Sequence, residues 1–283
     1  MARRAGPSVK SRRLAIVLRR LRASSGLSAA EVSRQTDLSG SKVNRMENAE
    51  IGFYMDDLEK LLDFYRVSAQ RRVEVMDIAR HAEQRGWLRM TSPNLPHDWQ
   101  TWVDFEDEAS GILQFAPLVI PGLIQTPEYA KAVIQATGNS LSPDQVDALV
   151  ASRMARQGLL SRSEPLGLKV ILAESLLTQP FGAPGAQGRQ LRKLLDDASH
   201  ENVVIQVLPT DAGLHPGLAG PFIVLEYDAE ASLVLLENKV SSLFLDEEEH
   251  IETYTRTWAE LVDLSHGPAE SLELIAAAAG RLS

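Results

Sequence analysis

The chain contains no cysteine, which excludes disulfide staples and thiolate metal sites, so its stability has to come from packing. Aromatic residues make up only 6%, and no apolar run approaches the ~20 residues that a membrane-spanning helix needs. The N-terminal stretch MARRAGPSVKSRR is basic, but no long apolar segment follows it, so it does not read as a secretory signal. Also missing are HExxH, a Gly-rich phosphate loop, GxSxG and any paired Cys/His spacing. These absences argue against an enzyme, a bound metal, a cofactor and a membrane protein, and the expected location is the cytoplasm. What remains is 283 residues with 44% hydrophobic content, enough for two domains of ordinary size.

Charge is unevenly distributed. Residues 1–50 hold eleven Lys and Arg against four Asp and Glu, a net of +7, while the other 233 residues carry −16. A basic segment on an acidic chain suggests a polyanion-binding module joined to a part that repels nucleic acid.

Within the basic segment, Gly26–Asn48 reads as two short helices joined by a tight turn. Ser28 followed by Glu31 is a capping box, so one helix starts at Ser28 and ends near Thr36. Ser39 is a new N-cap, and the next helix runs from Gly40 to about Asn48. Val43 and Met46 supply its buried face. Gly40, Ser41, Lys42, Asn44 and Arg45 then lie on outward faces, where several have donors for bases or phosphates. Lys42 and Arg45 are the first candidates for guanine, and Asn44 for adenine.

These residues resemble the XRE family, the helix-turn-helix group that includes the Cro and phage-repressor domains. Ser39, Val43, Met46, Glu47 and Asn48 match the family's recognition-helix pattern, and the resemblance covers roughly residues 10–80. It implies operator DNA as a partner, with Ser28, Ser39, Gly40, Ser41, Lys42, Asn44 and Arg45 at the interface. It also implies a structural ion pair between Arg22 and Glu47. Ala29 departs from the family, which often has a phosphate-binding Gln or Arg there, so that contact is left to backbone N–H groups at the helix start.

Residues 1–9 read as a flexible arm and 10–90 as a five-helix bundle, with helices near 10–24, 28–36, 40–48, 56–65 and 69–84. In the last of these, Val73, Met76, Ala79 and Arg80 are expected at a buried junction. Residues 91–98, TSPNLPHD, read as a linker because two prolines break the helical period. Residues 99–283 then form an α+β domain with a small sheet. Its expected strands are 111–120 (irregular), 168–173, 203–208 and a hairpin of 222–227 with 232–237. Its expected helices begin near Trp99, at Thr126-Pro127, at Ser142-Pro143, at Arg189, at Asp246 and at Pro268. The fold class is multidomain: an N-terminal all-α helix-turn-helix bundle plus a C-terminal α+β domain.

The phrases IPGLIQTPEY (120–129), RMARQ (153–157), VLP (207–209) and GLH (213–215) together resemble a domain of no agreed activity that follows such modules in actinobacterial regulators. That resemblance implies transcriptional regulators, often encoded beside a small acidic companion protein. Glu174, at the end of an expected strand, and His215, in a Gly/Pro loop, are candidate ligand or partner contacts. Arg153 and Arg156 share one helix face and are candidates for an anion or a partner carboxylate. None of these four forms a catalytic constellation.

The expectation is a sequence-specific DNA-binding transcriptional regulator, homodimeric because paired half-sites supply affinity. Its C-terminal domain would sense a signal, dimerise or bind a partner. The alternatives are an antitoxin-like protein that sequesters the companion and, from another class, a DNA-targeted enzyme.

Overall fold

A computed structural model describes residues 7–84, 86–90, 96–138, 141–228, 230–239 and 241–282. The chain divides into two units, Met1–Leu88 with Phe244–Glu247, and Arg89–Leu243 with Glu248–Ser283.

The first unit is a five-helix bundle: α1 (Val9–Ser25), α2 (Ala29–Gln35), α3 (Gly40–Glu47), α4 (Met55–Phe64) and α5 (Ala69–Arg80). Serines set four of the five starts. Ser8, Ser28, Ser39 and Ser68 each accept a hydrogen bond from the backbone N–H three residues on, satisfying a donor that the helix leaves open. Gly26, at φ 68°, closes α1 in the left-handed region, where glycine carries no Cβ penalty. Leu14, Val17, Leu18, Val32, Leu38, Val43, Met46, Leu58, Leu61 and Leu62 meet in one core. At about 25 cal/mol per Å² of apolar surface removed from water, such a cluster is the main favourable contribution to this unit's stability.

Two expectations are corrected in this unit. The expected arm 1–9 does not extend to its last two residues, because Ser8 caps α1 and Val9 is fully buried; residues 1–6 lie outside the described residues. Val73 is 68% exposed and Arg80 is exposed; the inward face of α5 is Val75, Met76, Ile78 and Ala79. Errors of helical phase arise easily there, because Val73 and Val75 are equally apolar on sequence. The basic charge of this unit is not all at the surface. Lys10, Arg12 and Arg13 are buried, and Lys10 Nζ donates to Gln84 Oε1 at 2.9 Å. Burial lowers the Lys10 pKa, only partly opposed by the charges of Asp246 and Asp77.

Residues from far along the chain complete this unit. A short strand, β1 (Trp87–Met90), lies beside a later strand, β7 (Ser241–Leu245), and Trp87 packs on Phe244 with ring centroids 6.1 Å apart. The carboxylate of Asp246, itself buried, accepts from Val9 N at 2.6 Å and Gly86 N at 2.8 Å. The helix expected to open at Asp246 therefore opens two residues later.

The second unit contains α6 (Pro96–Glu108), β2 (Gly111–Ala116), α7 (Pro127–Thr137), α8 (Pro143–Arg156), β3 (Gly167–Ala173), α9 (Ala186–Asp197), β4 (Val203–Leu208), β5 (Phe222–Glu226), β6 (Leu233–Glu237), most of β7, α10 (Glu248–Leu264) and α11 (Pro268–Arg281). Of the expected linker 91–98, residues 91–95 lie outside the described residues, and 96–98 are the first turn of α6. Proline fits there because a first-turn residue has no intrahelical acceptor for its N–H.

Six strands form a mixed sheet in the order β7-β6-β5-β2-β3-β4. Strands β2, β3 and β4 run parallel, with Leu168 opposite both Ile112 and Val203. Helical crossovers join them, as parallel pairing requires. Strand β2 pairs antiparallel with β5, and β5 with β6, in the expected hairpin. The segment expected as an irregular strand is a regular strand at the centre of this sheet, buried at Gly111–Leu113 and Phe115–Ala116. From β4 the chain returns across the carboxyl ends of β3 and β2 to reach β5. That path explains why Thr210, after β4, is tied to Glu174, after β3, and why Gly217, before β5, sits on Phe115 of β2. A Cβ at Gly217 would lie 2.6 Å from the Phe115 ring, so only glycine fits there.

Candidate nucleic-acid interface

Helices α2 and α3 are joined by four residues, 36–39. The Thr36 hydroxyl donates to Val32 O at 2.9 Å and accepts from Leu38 N at 3.4 Å, while Leu38 is buried. The turn is therefore pinned by one hydroxyl and one apolar plug. Gly40 lets the two helices approach: a Cβ there would stand 3.4 Å from the Ala29 carbonyl oxygen, at the edge of tolerable contact.

In α3, Val43, Met46 and Glu47 are buried. Ser41, Asn44, Arg45 and Asn48, spaced i, i+3, i+4 and i+7, are all exposed and form one polar face. That face carries amide, hydroxyl and guanidinium donors, the groups that read base edges. Arg45 Nε lies 3.9 Å from Glu50 Oε2 with both side chains 54% exposed, an ion pair too solvated to hold the guanidinium back.

The other expected contacts are placed differently. The Lys42 ammonium lies 2.5 Å from Asp57 Oδ2 of α4 and 5.4 Å from the centre of the Tyr54 ring. The Ser28 N–H and hydroxyl both donate to Glu31 Oε2, at 2.7 and 2.6 Å, and these bonds hold the Glu31 carboxyl below the usual range. The start of α2 thus already carries an anion. Ser39, exposed, accepts from Lys42 N at 3.2 Å. Ser39, Ser41, Lys42, Arg45, Ile51, Gly52 and Tyr54 line an open concavity of about 540 Å³ beside α3. Tyr54, 68% exposed, and Asp57 were missed on sequence. Two acids in the first turn of α4 were visible there, but their reach to Lys42 depends on how α4 packs.

Behind α3, Arg22 Nε donates to both carboxylate oxygens of Glu47, at 2.8 and 3.0 Å, and its Nη2 adds a third bond at 2.9 Å. Arg22 Nη1 reaches Leu27 O at 3.1 Å, so one guanidinium ties α1, α3 and the α1–α2 loop together. The bonds to Glu47 raise the Arg22 pKa. Burial, with the Glu47 charge added, pushes the nearby Tyr65 phenol up to about 12.

In the second unit, Arg156 meets Glu106 through two bonds of 2.5 Å, with side chains 9% and 1% exposed. Arg153 donates to Gln125 Oε1 at 2.9 Å, and burial, followed by the like charge of Arg156, pulls its pKa down to about 10. Gln157 donates to the carbonyls of Gly122 and Gln125. The phrases 120–129 and 153–157 thus meet as an internal polar network that closes α8 onto the loop after β2. Glu174 accepts from Thr210 N at 2.8 Å and Thr210 Oγ1 at 3.0 Å, and these bonds lower its pKa. His215 stacks edge-on against Phe115 at 6.2 Å. Glu174 and His215 each anchor the loop that crosses the sheet end, and no contact brings them together. No cluster of metal-ligating side chains and no membrane-spanning helix occurs among the described residues.

Two family models match the chain. A helix-turn-helix domain matches residues 13–75, and a domain of unknown function, DUF5753, matches residues 99–277. No curated protein matches. Among solved structures, TrmBL2, described as an archaeal chromatin protein with a novel mode of DNA binding, is 11% identical, covers 85% of this chain and 88% of its own, and has a TM-score of 0.33. At that score the likeness carries no argument.

Proposed function

Because the chain belongs to the DUF5753 family and opens with a helix-turn-helix domain, we propose that it is a sequence-specific DNA-binding transcriptional regulator. The observation that carries this reading is the exposed polar face Ser41–Asn44–Arg45–Asn48 on a capped helix seated against α2. An α-helix with one face of such donors fits a major groove about 12 Å wide. The protein acts as a homodimer without catalysing a reaction, since one small module contacts few base pairs and symmetric half-sites supply the rest. The C-terminal α+β domain pairs two copies, receives a signal or holds a small companion protein. In support of a contact role, Leu118, Val119, Leu214 and Leu218 are exposed near the carboxyl end of β2.

Selection from a random duplex library, followed by fluorescence anisotropy on the enriched sequence, tests the reading. A palindromic sequence, bound at least ~10³-fold tighter than random DNA at matched salt, is expected. Failure to enrich any sequence would remove the sequence-specific role.

A further inference from the structure

Lys42 is one of the two basic residues that the sequence placed first at the interface, yet its charge is turned toward the protein. Its ammonium lies 2.5 Å from Asp57 Oδ2, and the Tyr54 ring sits 5.4 Å away on the same side. Asp57 is only 8% exposed and occupies the third position of α4, so it is held by the helix and does not swing out to follow a departing lysine. Its negative charge is also favoured there, because the start of α4 has no side-chain cap and presents open N–H groups. Lys42 keeps 35% exposure, at the rim of the concavity that Ser41 and Arg45 share. One of the two cations on α3 is therefore neutralised from within.

We propose that Asp57 is a specificity-determining residue that sequesters Lys42 and withholds one phosphate contact from the DNA interface. The proposal rests on the DNA-binding reading above. Phosphate contacts strengthen binding to every sequence alike, whereas base contacts distinguish sequences. Withholding a phosphate contact leaves discrimination to Ser41, Asn44 and Arg45 and keeps affinity for random DNA low. Asp57→Asn retains the shape of the side chain, removes its charge and frees Lys42 to reach a phosphate.

The test is the salt dependence of duplex binding by the full chain, measured by anisotropy on a selected and a random sequence. Each phosphate contact contributes about −0.9 to the slope of log K against log salt. Asp57→Asn is expected to steepen that slope by about 0.9. Between 50 and 200 mM salt the variant's affinity then falls about 3.5-fold further than the parent's does. Its affinity for random DNA rises and its ratio of selected to random binding falls. Asp57→Asn with Lys42→Gln together should return to the parent slope. That outcome separates release of Lys42 from mere loss of repulsion by Asp57, which would persist without the lysine. Lys42→Gln alone leaves α4 intact, and it should keep the parent slope because Lys42 makes no phosphate contact in the parent. A slope shallower by about 0.9 in Lys42→Gln, or weaker binding by Asp57→Asn while it remains folded, overturns the proposal and leaves the DNA-binding reading standing. Absence of any DNA binding by the parent overturns both.

Discussion

Removing Glu47 tests how α3 is held in place. Its side chain is 4% exposed and receives three hydrogen bonds from Arg22, whose side chain is 27% exposed. In Glu47→Ala the guanidinium keeps only the Leu27 carbonyl and whatever water reaches its open side. A fully buried pair broken on one side costs ~3–5 kcal/mol, and an exposed one below ~1. Arg22 stands between these limits, so a loss of about 2–3 kcal/mol is expected. For a module of this size that lowers the melting midpoint by roughly 10 °C or more. Far-UV circular dichroism during thermal and urea unfolding measures it. Glu47→Gln, which still offers Arg22 a carbonyl oxygen, should be distinctly less destabilised. Unfolding curves superposable on the parent's for Glu47→Ala would show that the pair does not brace α1 against α3.

Helices α3 and α4 both end with a left-handed residue that is not glycine, Ala49 at φ 52° and Arg66 at φ 53°. Glu50 N bonds to Arg45 O and Ala49 N to Met46 O, the pattern of a Schellman cap, so Ala49→Gly should relieve strain and raise stability by ~0.5–1 kcal/mol in urea denaturation. A decrease would contradict that conformation. Asp246→Ala deprives Val9 N and Gly86 N of a charged acceptor and should destabilise the first unit by about 2–3 kcal/mol. A fragment of residues 1–91 should show the same loss, and equal stability of fragment and full chain would refute it. The Glu174 pKa is depressed by its bonds from Thr210, so its stabilising effect is present above 4.5, the unperturbed value, and is lost as pH falls through the lowered one. The difference in melting temperature between parent and Glu174→Gln should therefore shrink as pH falls further below 4.5; a gap independent of pH would rule out this tether.

The helices around the interface were legible because their signals are local. Ser28 with Glu31, Ser39 and Ser68 each mark a helix start by a side chain that reaches only three residues. The apolar spacing of Val43 and Met46 fixed the outward face of α3. What was not legible depends on distant partners. Nothing near Asp246 in sequence announces that it caps Val9, 237 residues away, and its acidic neighbours pointed to a helix start instead. Strand β2 looked irregular because it is buried on both faces and so lacks alternation. The candidate site was half legible. Ser41, Asn44 and Arg45 face outward as the period demands, but Lys42 is claimed by Asp57 of another helix. Arg153 and Arg156 shared a helix face as read, but burial turns that face inward, onto Gln125 and Glu106. A run of charge on a helix does not say which side packs until the neighbours are known.

The proposed reader of DNA sequence is the exposed face of α3. It is tested by the affinity of Asn44→Ala/Arg45→Ala, in the full chain at fixed salt, for the duplex that the parent selects and for a random duplex. Truncating one base-reading side chain costs about 1–3 kcal/mol on the selected duplex only. The double variant is expected to fold as the parent does and to bind the selected duplex at least ~30-fold more weakly. Its binding to random DNA should fall by a few-fold at most. A double variant that still prefers the selected duplex by the parent's ratio would show that sequence is read elsewhere on the protein.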